Sequence, residues 1–161
     1  MRMITIDVKS ILYRALHEAK IKIQQNLETT GTNASGRTSR SLEVVVDNTS
    51  GTLFGRQAFG TVETGRRAGR VPYGFTEIIY QWMQDKGVHA ERYGRRSQRS
   101  ADMSMAYLIA KKIAREGSKL YRDGGRLDIY SNVLPVAIEQ VKRETTNVYI
   151  INIKSILRWK E

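Results

Sequence analysis

The chain has no cysteine among its 161 residues. Disulfides, thiolate catalysis and Cys-ligated zinc are therefore excluded, and synthesis in a reducing cytoplasm is expected. Histidine is almost as scarce, with only His17 and His89. His17 falls in a helical pattern beside charged neighbours and His89 in a loop. Neither has a second histidine at metal-ligand spacing, so neither is read as a ligand or a base. The acidic residues are scattered and mostly sit opposite Lys or Arg within helical segments, as on a solvated face. Gly65-Arg-Arg-Ala-Gly69 lacks the Gly-Lys-Ser/Thr ending of a phosphate-binding loop, and no G-x-G-x-x-G follows a strand. No catalysis, no cofactor and no metal are expected.

Long apolar runs are also missing. None approaches the ~20 residues that cross a bilayer, and Arg2, Asp7, Lys9 and Arg14 interrupt any signal-like segment at the start. A soluble protein is the expectation, with no membrane partner. There is no internal repeat, heptad run or low-complexity tail. Hydrophobic residues make up 40%, lean but enough for the modest core of one domain spanning 1–161.

What the chain has in excess is positive charge: 27 Lys+Arg against 16 Asp+Glu, a net +11. Such a surface favours acidic partners, whether nucleic acid, anionic membrane or an acidic protein face, without choosing among them.

The hydrophobic spacing predicts a first helix over residues 7–28, lined by Val8, Ile11, Leu12, Ala15, Leu16, Ala19, Ile23 and Leu27, with Asp7 as N-cap. Residues 31–41 read as a polar loop with room for one helical turn near its end. Leu42–Val46 and Thr52–Gly55 read as a hairpin turned by Asn48–Gly51. Residues 56–64 are ambiguous between helix and strand. A second helix is expected over about 74–86, with Phe75, Ile78, Ile79, Trp82 and Met83 on one side and Gly87 at its end. At that spacing Trp82, Met83, Met103 and Met105 read as core rather than a ligand pocket.

A third helix is expected from Ser100 or Asp102 to about Tyr121, with Met105, Leu108, Ile109, Ile113 and Leu120 inward, broken by Asp123-Gly-Gly125. A fourth runs over about 128–144, bent or interrupted by Pro135. The β-branched run over 147–153 predicts a C-terminal strand, paired with the hairpin at 42–55 or with an adjacent subunit. The expected class is α+β: about four helices, with the hairpin and C-terminal strand forming a small sheet.

Loops near 31–41, 64–73 and 88–100 are long for a compact domain. Between residues 66 and 100, eight basic residues face three acidic ones. Seven of the eight are arginine: Arg66, Arg67, Arg70, Arg92, Arg95, Arg96 and Arg99. Guanidinium geometry suits carboxylate and phosphate alike, and Tyr73 and Tyr93 lie among them to stack. Three uses stay open: a solvated loop, contact with an acidic protein neighbour, or contact with DNA.

Several segments in order carry a family likeness. They are Gly36-Arg-Thr-Ser-Arg-Ser-Leu42 after a long helix, then Phe59-Gly-Thr-Val-Glu-Thr-Gly-Arg-Arg67 after a hairpin, then Pro72 and the helix to Gly87. Ala110 to Tyr121 and Asp128-Ile-Tyr-Ser-Asn-Val-Leu-Pro135 follow. Over about residues 8–145 the chain resembles the tail-completion, or head–tail connector (neck), proteins of tailed bacteriophages; the segment after 146 lies outside the likeness. The resemblance implies a structural virion protein, made in the host cytoplasm and placed at the neck. It implies a homo-oligomeric ring, six- or twelvefold, between portal or adaptor and tail proteins, with neither catalysis nor cofactor. The competing reading is a free basic nucleic-acid-binding protein, which lacks a recognised reading helix or RNA-binding signature here.

Overall fold

The computed structural model describes residues 8–157. Helix α1 spans Val8–Thr29 and buries Ile11, Ala15, Ala19, Ile23 and Leu27, one stripe at spacings of three and four. Leu12 and Leu16, half-buried beside that stripe, lie under the hairpin. Asp7, expected as the helix cap, lies outside the described residues. The polar segment that follows holds one helical turn, α2 (Arg37–Arg40), where the sequence left room for one.

Strands β1 (Glu43–Val46) and β2 (Gly51–Phe54) pair antiparallel in the register Val44↔Leu53 and Val46↔Gly51. Residues 57–60 then form a 3-10 turn and Thr61–Thr64 the short helix α3, which resolves the ambiguous segment as helical. Helix α4 spans Phe75–Asp85. Gly87 ends it in the left-handed region (φ 65°), with Gly87 N–H donating to the Gln84 carbonyl and Val88 N–H to that of Met83.

Helix α5 covers Gln98–Glu116 and is capped by Ser97, whose hydroxyl accepts from Ser100 N–H at 3.3 Å. The cap thus sits earlier than Ser100 or Asp102. The helix also stops earlier than Tyr121, because Gly117 (φ 82°) turns the chain and Ser118 caps a separate turn, α6 (Lys119–Arg122).

The largest departure from expectation is at the end of the chain. Residues 128–133 form turns, and a single helix α7 runs over Leu134–Leu157. The segment 147–153 is helical, so no C-terminal strand joins the hairpin and the sheet has two strands. The β-branched residues favour a strand only weakly, and tertiary packing overrides them. In α7, Ala137, Gln140, Val141 and Glu144 recur at helical spacing on the side that meets α1, with Gln140 reaching Glu18 and Glu144 reaching Arg14 in antiparallel order. Residues 147–153 extend that helix, with Tyr149, Ile150, Ile151 and Ile153 exposed. Pro135 marks the break expected of it: the 128–144 segment is turns up to Val133 and helix from Leu134 onward. It lies in the first turn, where its missing N–H would have had no helical partner.

The described architecture is therefore mixed, with more helical segments than the four expected because α2, α3 and α6 are separate single turns. It has one small antiparallel hairpin against α1, and two apolar clusters. One joins α1, Leu42, Ile129 and α7 through Ala19, Ile23, Leu27, Val133 and Ala137. The other joins α4 to α5 through Ile79, Met83, Ala106 and Ala110. Alanine, not leucine, forms the inner face of α5; Leu108, expected inside, is 64% exposed. Trp82 and Ile78, also expected in the core, lie on the outer side of α4.

Two backbone positions tie the segment after α3 to the start of α6. Gly65 (φ 70°) lies against Tyr121 N and Ser118 Oγ, where a Cβ would come within 2.4 Å of the former. Beyond it, Arg66 N–H donates to Ser118 Oγ at 2.9 Å and Ser118 N–H to the Arg66 carbonyl at 2.8 Å.

A candidate docking groove and the two basic loops

Each basic loop has a buried carboxylate at its root. Glu63 ends α3 just before the 65–74 segment and is 1% exposed. Its Oε1 accepts the N–H groups of Ile129 (2.7 Å), Tyr130 (2.7 Å) and Ser131 (3.0 Å), and its Oε2 accepts the Ser131 hydroxyl. Three successive N–H groups converging on one oxygen are those that a helical turn leaves unpaired at its start, so Glu63 acts as a cap supplied from 66 residues away. Burial pushes this carboxyl up, but the Ser131 hydroxyl and the three N–H groups outweigh it and hold the pKa below the ordinary 4.5. Phe59 packs its ring on Tyr130 at 5.2 Å beside the same junction.

Asp102 plays the corresponding part for the second loop. It is 2% exposed, on the first turns of α5. Its carboxylate is bonded by His89 Nδ1 (3.0 Å) and accepts from Ala90 N–H (2.8 Å), Gln98 Nε2 (2.9 Å) and Gln84 Nε2 (3.2 Å). The His89 bond first, then the Ala90 N–H, hold its pKa far below the ordinary value against the opposing effect of burial.

The seven arginines divide between two places. Arg66 is half-buried: its guanidinium lies 5.1 Å over the Phe75 ring and its Nη2 donates to the Arg70 carbonyl at 2.8 Å. It is as much a brace for the loop as a contact residue. Arg66 and Arg70 line an open groove of about 1110 Å³, bounded by residues 32–38, 56–61 and 70–85. Arg67 is exposed but does not line it. Arg92, Arg95, Arg96 and Arg99 are all exposed and stand outside the groove, the last of them on the first turn of α5.

The groove gathers two further arginines that the loop-based reading missed. Arg37 Nη2 donates to Asp85 Oδ2 at 2.9 Å across the groove, and Arg56 lies just past the hairpin. Arg37 stands in the quoted Gly36-Arg segment, but nothing local marks Arg56 as its spatial neighbour. Ile78 and Trp82, 52% and 42% exposed, supply the groove's apolar wall. The histidines stay apart from one another, His17 stacked on Tyr13 at 5.6 Å and His89 on Asp102. Among the described residues no three His, Asp or Glu side chains gather as a metal-binding group. Among the same residues, no helix is long and apolar enough to cross a membrane.

In comparisons with known proteins, the chain matches no family model, no curated protein and no solved structure.

Proposed function

We propose that this chain is a structural subunit of a homo-oligomeric ring at the head–tail junction of a tailed bacteriophage, joining the portal side to the tail, without catalysis or cofactor. The observation that carries the reading is spatial. Phe59 to Arg67 and Asp128 to Pro135, two segments of the family likeness far apart in sequence, meet through the Glu63 cap and the Phe59–Tyr130 contact. Segments that share a motif order and also build one junction support a common architecture better than either segment alone.

The surface is consistent with a subunit that neighbours cover. Tyr149, Ile150, Ile151 and Ile153 are each between 44% and 56% exposed within five residues of α7. A helix apolar on several sides usually finds burial beyond its own chain. Ring contacts join unlike faces, and the basic loops and the bare end of α7 supply two different faces.

The test is electron microscopy of phage particles in which this gene carries an early stop. Heads without attached tails are the expected result. Complete particles would overturn the reading and bring forward the free nucleic-acid binder, which predicts tight, steeply salt-dependent duplex binding by the isolated chain.

A further inference from the structure

We propose that the groove beside α4 is a binding site for an acidic segment of a different protein, one that carries aliphatic side chains among its carboxylates. The inference rests on the docking part of the preceding reading and not on the ring.

Charge is the first argument. Arg37, Arg56, Arg66 and Arg70 line the groove against Glu77 and Asp85. Asp85 is already engaged by Arg37 and by Gln81 Nε2 at 3.0 Å. Among the described residues the guanidinium groups of Arg56 and Arg70 have no hydrogen-bond or ionic partner. These are free, planar donor arrays suited to carboxylates.

The apolar wall decides between carboxylate and phosphate carriers. Ile78 and Trp82 stand one turn apart on α4, with Val71 and Pro72 beside them. A nucleic-acid backbone brings no apolar surface to such a wall. Base stacking would need open aromatic faces, yet Arg66 already covers Phe75, leaving Trp82 as the groove's open ring. A peptide with aliphatic side chains between its carboxylates satisfies both walls.

A second copy of this chain offers no such segment. Its acidic residues are so dispersed that the closest two, Glu43 and Asp47, stand four positions apart. No stretch of it is an acidic segment.

The experiment measures fluorescence anisotropy of a labelled peptide of Asp-Glu-Leu repeats titrated with the full chain. Controls are an uncharged Asn-Gln-Leu peptide and a labelled duplex. Expected is binding of the acidic peptide, weakened about 10-fold or more by Arg56→Ala with Arg70→Ala and by Trp82→Ala. The double variant Arg95→Ala with Arg96→Ala, equal in charge loss but outside the groove, should bind as the parent does. Equal weakening by both doubles would mean diffuse attraction and overturn the site. Binding of duplex but not peptide would also overturn it, in favour of nucleic acid. All these side chains are exposed or half-exposed, and unchanged melting temperatures verify folding. Peptide binding alongside normal tails in the early-stop phage would sink the ring and keep the groove. Absent binding alongside tailless heads would do the reverse.

Discussion

Glu63 and Asp102 do the same chemistry at different range, and the contrast separates what holds the molecule together from what shapes one part of it. Glu63 reaches across 66 residues to cap the entry to α7, so its bonds exist only when both ends of the chain have met. Asp102 holds His89, Ala90, Gln98 and Gln84, all within 18 residues of it. Loss of the first should be felt everywhere; loss of the second should be felt mainly by the loop that carries Arg92, Arg95 and Arg96.

Substitution Glu63→Ala has the largest expected effect. It leaves three N–H groups and a hydroxyl without their acceptor, a loss of about 3 kcal/mol in urea unfolding. Gly65→Ala comes next, because a left-handed backbone and a Cβ against Tyr121 N both oppose it. About 2 kcal/mol is expected from the same measurement.

The acid branch of the stability profile sharpens the comparison. Both folded-state pKa values lie below their unfolded values, so the unfolded chain takes up protons first. Each carboxylate's contribution is therefore complete above about pH 5 and fades as the pH falls through its folded pKa. Melting temperature should drop below about pH 5, and Glu63→Gln should flatten that drop; an unchanged slope would show that other groups dominate it.

Asp102→Asn should flatten the acid drop as well, its carboxyl being held far below the ordinary value. It should cost less melting temperature than Glu63→Ala, because Asn keeps an acceptor oxygen for Ala90 N–H. Its mark should instead be faster trypsin cleavage after Arg92, Arg95 and Arg96, read by mass spectrometry of a limited digest. If it unfolds the chain as thoroughly as Glu63→Ala, the distinction of range fails. Smallest of all is Arg14→Ala. The Arg14–Glu144 pair across α1 and α7 is solvent-exposed on the arginine side, and about 0.5 kcal/mol or less is expected.

Local signals in the sequence were legible where the chain's own chemistry decides the outcome. The apolar stripe of α1, the hairpin and the Gly87 stop all follow from periodicity and turn residues. The turn at Gly124 and Gly125 was legible too, but it follows α6, and the earlier stop of α5 at Gly117 was not read. The errors arise where distant packing decides. Residues 147–153 carry strand-forming side chains, yet they continue the helix that Ala137 to Glu144 set against α1, because extending a formed helix adds one bond per residue. Leu108 looks like a core residue by type, but Ala106 and Ala110 form the side of α5 that meets α4, and Leu108, two positions from each, falls on the opposite side. The site shows the same division. Exposed loop arginines are visible from composition, whereas the meeting of Arg37 and Arg56 with Arg66 and Arg70 depends on tertiary folding.

The antiparallel pairing of α1 with α7 also sets a timetable. Synthesis runs at about 5–20 residues per second, so α1 leaves the ribosome several seconds before α7 exists. Through that interval Ile11, Ile23 and Leu27 have no helix to cover them. A nascent chain arrested before residue 134 should therefore be held by a chaperone, and release should coincide with the emergence of α7.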